Sequence, residues 1–288
     1  MIELDYTLLI VALGGALLGA LSGVLGTFAV LRGQALLGDM LSHAALPGVC
    51  LAFLIAGRSP LALLLGAGIA AWLGAQLVSA ITDTTRIKAD AAIGIVLASF
   101  FALGIALLSS IQKRDDAAQA GLDKFIFGQA AAMSASDILL IVLAGGVILL
   151  SIIAFWKEFK LITFDPEFAG ANGYPVRFFK ALLATLIAAG IVLGLQLAGV
   201  ILMVGLLVAP AAAARQWVKS LAGMALLAAC FGGFSGAAGA FLSSIERGLP
   251  TGPLIIVVAS ALVGVSLLVA PERGILAVMR GTSRTKAS

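Results

Sequence analysis

Long apolar runs separated by short charged clusters organise this chain. The runs fall near residues 6–31, 33–57, 60–81, 91–111, 137–156, 181–196, 199–214, 220–243 and 253–270. Most approach the roughly 20 residues that a helix needs to cross a hydrocarbon core of about 30 Å. The pattern predicts an all-α, polytopic bundle of eight or nine membrane-spanning segments, some short or discontinuous.

The stretch 181–214 decides the count. As one helix its 34 residues would reach about 51 Å, too long for a single crossing. As two spans it is cramped, with a turn near 196–199. The basic residues break the tie. With the N-terminus outside, only Arg58, Lys113, Arg114, Lys124 and Arg247 of the 18 Lys and Arg fall outside. A single crossing would flip everything after it and expose the basic tail. Two short or re-entrant segments fit the positive-inside bias better, giving an N-out, C-in topology.

Composition agrees with the pattern. The chain is 61% apolar and 11% charged, with a mean hydropathy of +1.15, where soluble domains carry about 25% charged residues. This is an integral membrane protein. A net charge of +4 is too small and scattered for nucleic acid and reads as loop asymmetry. Cys50 and Cys230 lie in apolar runs without metal spacing and read as packing residues. The N-terminus is acidic at Glu3 and Asp5, so the first apolar run is expected to be retained as a span. Small-xxx-small spacings at Gly15, Gly19 and Gly23, at Gly190 and Gly194, and at Gly232 and Gly236 predict close helix packing.

One pair of residues breaks the apolar pattern with chemistry. Asp39 and His43 lie one helical turn apart between Arg32 and Arg58, and His43 is the only histidine. Such a pair projects from one side of a helix, and a carboxylate with an imidazole is half a shell for a first-row divalent metal. Counted as helix from Arg32, the two lie about 10 and 16 Å deep, near mid-bilayer. Pro47 and Gly48 follow, where they can break or kink the helix. Binding sites at broken helices near the midplane recur in transporters. The competing reading is a buried Asp–His pair that fixes helix packing. Ser42 reads as hydrogen-bonding locally, or as orienting a ligand. Gln34, Gln76 and Gln196 read as interhelical hydrogen-bonding groups or pore lining, Met203 as packing, and Glu246 and Arg247 as an outer turn.

The segment 157–180 reads as a cytoplasmic loop carrying a short helix near 166–172. Asp165 suits an N-cap, Pro166 the first helical position, and Glu167 the positive helix end. Gly173 can take the left-handed conformation that ends a helix, and Pro175 prevents continuation. The helix would expose Phe164 and Phe168. It either lies on lipid headgroups or fits a groove on a cytosolic partner. No G-x-x-x-x-G-K-[ST] phosphate loop occurs in the chain.

Several blocks carry a family resemblance. They are residues 26–32 (GTFAVLR), 38–48 (GDMLSHAALPG), 164–169 (FDPEFA) and 206–214 (LLVAPAAAA), spread over nearly the whole chain. Together they resemble the membrane subunit of bacterial ABC importers for manganese, zinc or iron. Residues 121–130 (GLDKFIFGQA) look like the manganese-type branch. The resemblance implies a single permease domain over 1–288 with a basic cytoplasmic tail at 271–288, in the cell membrane. It implies metal in transit at Asp39 and His43, and an ATPase docked on Phe164, Asp165, Pro166, Glu167, Phe168, Ala169 and Gly173. Asn172 and Tyr174 stand where the family more often has apolar residues. Permeases of this kind pair, so two copies or two paralogues would offer four N/O ligands. An extracellular metal-binding protein would load them, no cofactor would be bound permanently, and the chain itself would be no enzyme. The expected cargo is Mn²⁺ first, then zinc or iron. The alternative is a stand-alone ion-coupled carrier with Asp39 as the coupling-ion site. An intramembrane enzyme is disfavoured, because no H-E-x-x-H occurs and the histidine has no second acidic partner in the spans.

Overall fold

Helices account for nearly every residue described in this computed structural model, which covers 6–57, 59–113, 133–245, 249–271 and 274–276. The 121–130 block, Arg58, Arg114, Lys124, Glu246, Arg247 and most of the 271–288 tail lie outside the described residues. In chain order the helices are α1 (Tyr6–Leu31), α2 (Leu37–Ala56), α3 (Pro60–Thr84), α4 (Ala89–Gln112), α5 (Ala135–Ala154), α6 (Trp156–Phe164), α7 (Pro166–Ala171), α8 (Val176–Trp217), α9 (Leu221–Ile245) and α10 (Thr251–Val269). Among the described residues, eight helical segments are long and apolar enough to cross a membrane, and Leu202–Trp217 is a shorter apolar segment. The fold is that of a polytopic helical membrane protein.

Glycine sets the closest helix contacts. α1 and α9 run antiparallel with Gly15 against Gly236, Gly19 against Gly232 and Gly23 against Ala228. A methyl group on any of these three α1 glycines would press on a carbonyl group across the seam. Backbones that approach this closely replace side-chain interdigitation with dispersion and Cα–H contacts to carbonyl oxygens. α2 meets α3 in the same way through Gly48 and Gly66, and Ala44 and Met40 sit against Gly74. The Gly190/Gly194 spacing has a different use. Gly190 makes room for the Leu25 side chain and Gly194 for Met203.

That last contact reveals the path of α8. The element is interrupted at Gly199, whose φ of 79° and ψ of 169° leave the helical region. In a straight helix residues 194 and 203 would stand about 13 Å apart, so Met203 can fill the space beside Gly194 only if the chain folds back. Both ends of α8 consequently reach the same end of the bundle. Lys180 pairs with Asp83 at the end of α3, while Arg215 shares a cleft with Leu31 and Phe164. The two-segment reading of this stretch holds, with the reversal at Gly199.

Two boundaries differ from the sequence pattern. The charged stretch from Lys157 is helical, because Phe159 and Ile162 bury one face of α6 while the charges point outward. α8 begins at Val176, five residues before the apolar run at 181. α2 also continues through Pro47 and Gly48 without a break. Close packing from neighbouring helices lets a spanning helix accept a proline, and Gly48 serves the contact with Gly66.

Candidate metal pair and docking helix

The turn before α2 places the Asp–His pair. α1 closes with Gly33 at φ 68°, whose N–H donates to Val30 O at 3.1 Å while that of Gln34 donates to Ala29 O at 2.9 Å. This left-handed cap satisfies the last carbonyls of α1. Gln34 therefore sits in the connection and not in a span, and α2 starts only at Leu37. Along its axis Asp39 stands about 3 Å and His43 about 9 Å from the helix start. Residues 33–36 turn and do not advance as a helix, so the pair lies nearer the start of its helix than a count from Arg32 gives.

Asp39 lies in the first turn of α2, where the unpaired N–H groups favour a carboxylate. Its Oδ1 is 3.4 Å from His43 Nε2. The side chains are 36% and 29% exposed, respectively, so the pair is open to the surface and not sealed between packed helices. The Phe101 ring of α4 stands edge-on to the imidazole, with centroids 4.8 Å apart and planes at 74°, and restricts its rotation. Pro47 lacks an N–H, which leaves the His43 carbonyl without its usual intrahelical donor. The Ser42 hydroxyl is buried and, like Gln76 Nε2, has no hydrogen-bond partner among the described residues, so the local bond expected of Ser42 is not made there. No group of three His, Cys, Asp or Glu side chains converges among the described residues. One chain thus presents two side chains of metal-ligating chemistry, both partly exposed. Nothing is described of the Gln196 side chain, and Met203 is buried as packing.

The short helix at 166–171 is built as its punctuation predicts. Asp165 Oδ1 accepts from Phe168 N at 2.9 Å, and Pro166 opens α7. At the other end Gly173 takes φ 80°, its N–H donates to Gly170 O at 3.0 Å, and that of Tyr174 donates to Ala169 O at 3.1 Å. These two bonds form a Schellman cap. Asn172 Nδ2 adds a bond to Phe168 O at 2.8 Å. Ala169 is buried, while Glu167 is exposed and Phe164 and Phe168 are 57% and 55% exposed. Underneath, Phe159 of α6 is fully buried and its ring centroid lies 6.1 Å from that of Phe28, 6.1 Å from Phe155 and 6.3 Å from Phe179. The aromatic cluster fixes α6 to α1 and α8, so a rigid base carries an exposed helix.

Sequence reading missed Phe101, which carries no signal among the other aromatics of an apolar helix. It also missed the Asp83–Lys180 ion pair, whose members are 97 positions apart.

Comparison with known proteins places the chain. It is 50% identical over 92% of its length to the manganese transport system membrane protein of Bacillus subtilis (strain 168), and it spans 61% of that protein. It is 47% identical over 94% of its length to the zinc transport system membrane protein of Treponema pallidum (strain Nichols), covering 92% of it. The PsaBC structure from Streptococcus pneumoniae in complex with Fab superposes with a TM-score of 0.80 at 33% identity, covering 95% of each chain. Residues 5–270 match the family described as ABC 3 transport, and the chain belongs to the ABC 3 transport family.

Proposed function

We propose that this chain is the membrane-spanning subunit of an ATP-driven importer of divalent transition metal ions, with Mn²⁺ as first cargo and zinc or iron after it. The observation that carries the reading is the open Asp39–His43 pair on α2. Relatives named as manganese and zinc transport proteins support it. Two permease subunits, identical or paralogous, bring their pairs together on an axis and offer four N/O ligands. Such a set suits Mn²⁺ and Zn²⁺ about equally, so selection falls to an extracellular metal-binding protein that delivers the ion. The shell binds weakly enough to release its cargo inward. On the cytosolic side an ATP-binding subunit docks on α7, where Phe164 and Phe168 enter its groove and Asp165 and Gly173 hold the helix in shape.

The experiment is uptake of radioactive Mn²⁺ into vesicles containing either this chain alone or the complete set of subunits. Uptake that requires ATP and every partner supports the reading. Uptake by the chain alone, driven by a proton or Na⁺ gradient, would replace it with a stand-alone carrier.

A further inference from the structure

The docking helix and the metal pair lie on different parts of the chain, and the described residues contain a short mechanical route between them. α7 leads through Tyr174 and Pro175 directly into α8. One turn into α8, Lys180 Nζ reaches Asp83 Oδ1 at 3.2 Å. Asp83 belongs to the last turn of α3. A second link lies further along the same two helices, where Trp72 Nε1 donates to Thr185 Oγ1 at 3.1 Å. α3 in turn is held against α2 by the Gly48–Gly66 approach and by Ala44 and Met40 on Gly74. Gly48 stands five residues past His43. Three helices thus connect the docking surface to Asp39 and His43, with glycine contacts on one side and polar links on the other.

The two connections differ in kind. The α2–α3 contact is backbone against backbone and can move only as a unit, because packed interfaces shift between discrete arrangements more readily than they deform. The α3–α8 connection relies on side chains that are 26% and 30% exposed, so its geometry can be broken and remade. The Asp83 charge also reaches Arg32, the residue that follows α1. Burial pulls the Arg32 guanidinium below its ordinary value and the Asp83 charge opposes that change. One carboxylate thus pairs with Lys180 and adds its field at Arg32.

We propose that Asp83 is a positioning residue that couples movement of the docking helix to α2, with Lys180 as the handle by which α8 pulls on α3. The proposal rests on the ATP-driven import reading above. It makes Asp83 and Lys180 necessary for the ratio of ions moved to ATP hydrolysed, and not for metal binding or for ATP hydrolysis itself.

The test uses the complete transporter in vesicles and measures radioactive Mn²⁺ imported per ATP hydrolysed for wild type, Lys180→Gln, Lys180→Arg, Asp83→Asn and the Asp83→Asn/Lys180→Gln double variant. Lys180→Gln removes a partly exposed charge and leaves no core cavity, which guards against misfolding. The expected result is a ratio lowered about fivefold in Lys180→Gln and in Asp83→Asn, the low end of coupling between linked sites. Lys180→Arg keeps the ratio, and the double variant is no worse than the worse single one, as members of one link should behave. Wild-type uptake with an unchanged ratio in Lys180→Gln would overturn this proposal alone. So would a double variant whose losses multiply. A wild-type complex without ATP-dependent uptake would overturn the import reading and this proposal together.

Discussion

Replacing Gly48 with alanine should separate α2 from α3 and lower both stability and transport. A methyl group at Gly48 would press on the carbonyl of Gly66 and stand 2.6 Å from Ala70 Cβ. Carbon atoms rest at about 3.5–4.0 Å, so one helix must yield by roughly 1 Å. The obstacle is backbone, which cannot rotate away as the end of a side chain can. Overpacking of this kind costs about 1–3 kcal/mol. For a chain of this size that lowers the apparent Tm by about 2–4 °C per kcal/mol. Gly68→Ala is the matched control on α3, since nothing lies within 4 Å of its would-be Cβ. It should be neutral or stabilising by up to about 1 kcal/mol. The assay is thermal unfolding of detergent-purified protein beside Mn²⁺ uptake by the complete transporter. A Gly48→Ala variant that melts and transports like wild type would refute the claim that this contact fixes the helix carrying Asp39 and His43.

Three further outcomes follow from α7 and the α5 cap. Asp165→Ala removes the acceptor of the Phe168 N–H and should cost about 0.5–2 kcal/mol of local helix stability; copurification of the ATP-binding subunit should fall while the chain still folds. Phe168→Glu, at an exposed position, should leave the melting temperature unchanged and abolish that copurification; retained binding would assign α7 to the lipid surface. Ser134→Ala removes the capping box at the start of α5 and should lower stability by about 1 kcal/mol with little effect on metal uptake.

Much of this architecture is written locally in the chain. Charge clusters bound the spans because a charged side chain in hydrocarbon is costly. The caps of α7 were readable because Asp165, Pro166 and Gly173 each satisfy a backbone requirement within a few residues. The Gly15/Gly19/Gly23 series announced a close helix neighbour, and only folding identified α9 as that neighbour. The errors share a cause. Lys157 and Lys160 read as loop because helix α6 lies at the bundle end, where charges and a buried Phe159 coexist. Asp39 stands nearer the start of its helix than a count from Arg32 implies, because the cap at Gly33 uses residues that counting assigns to α2. Phe101 against His43 and Asp83 against Lys180 are tertiary contacts without a sequence period, so no local rule exposes them. His43 was legible as a candidate ligand because it is the single histidine and stands one turn from Asp39, and among the described residues no third His, Cys, Asp or Glu joins the two.

The central claim is that the cargo passes through Asp39 and His43. Its most direct test is radioactive Mn²⁺ uptake by vesicles carrying the complete transporter with Asp39→Ala, His43→Ala or the wild-type chain. Both side chains are partly exposed, so neither substitution leaves a core cavity, and unchanged melting temperatures confirm intact protein. The account predicts that each variant loses uptake while still binding the ATP-binding subunit. Uptake at the wild-type rate in both would contradict it.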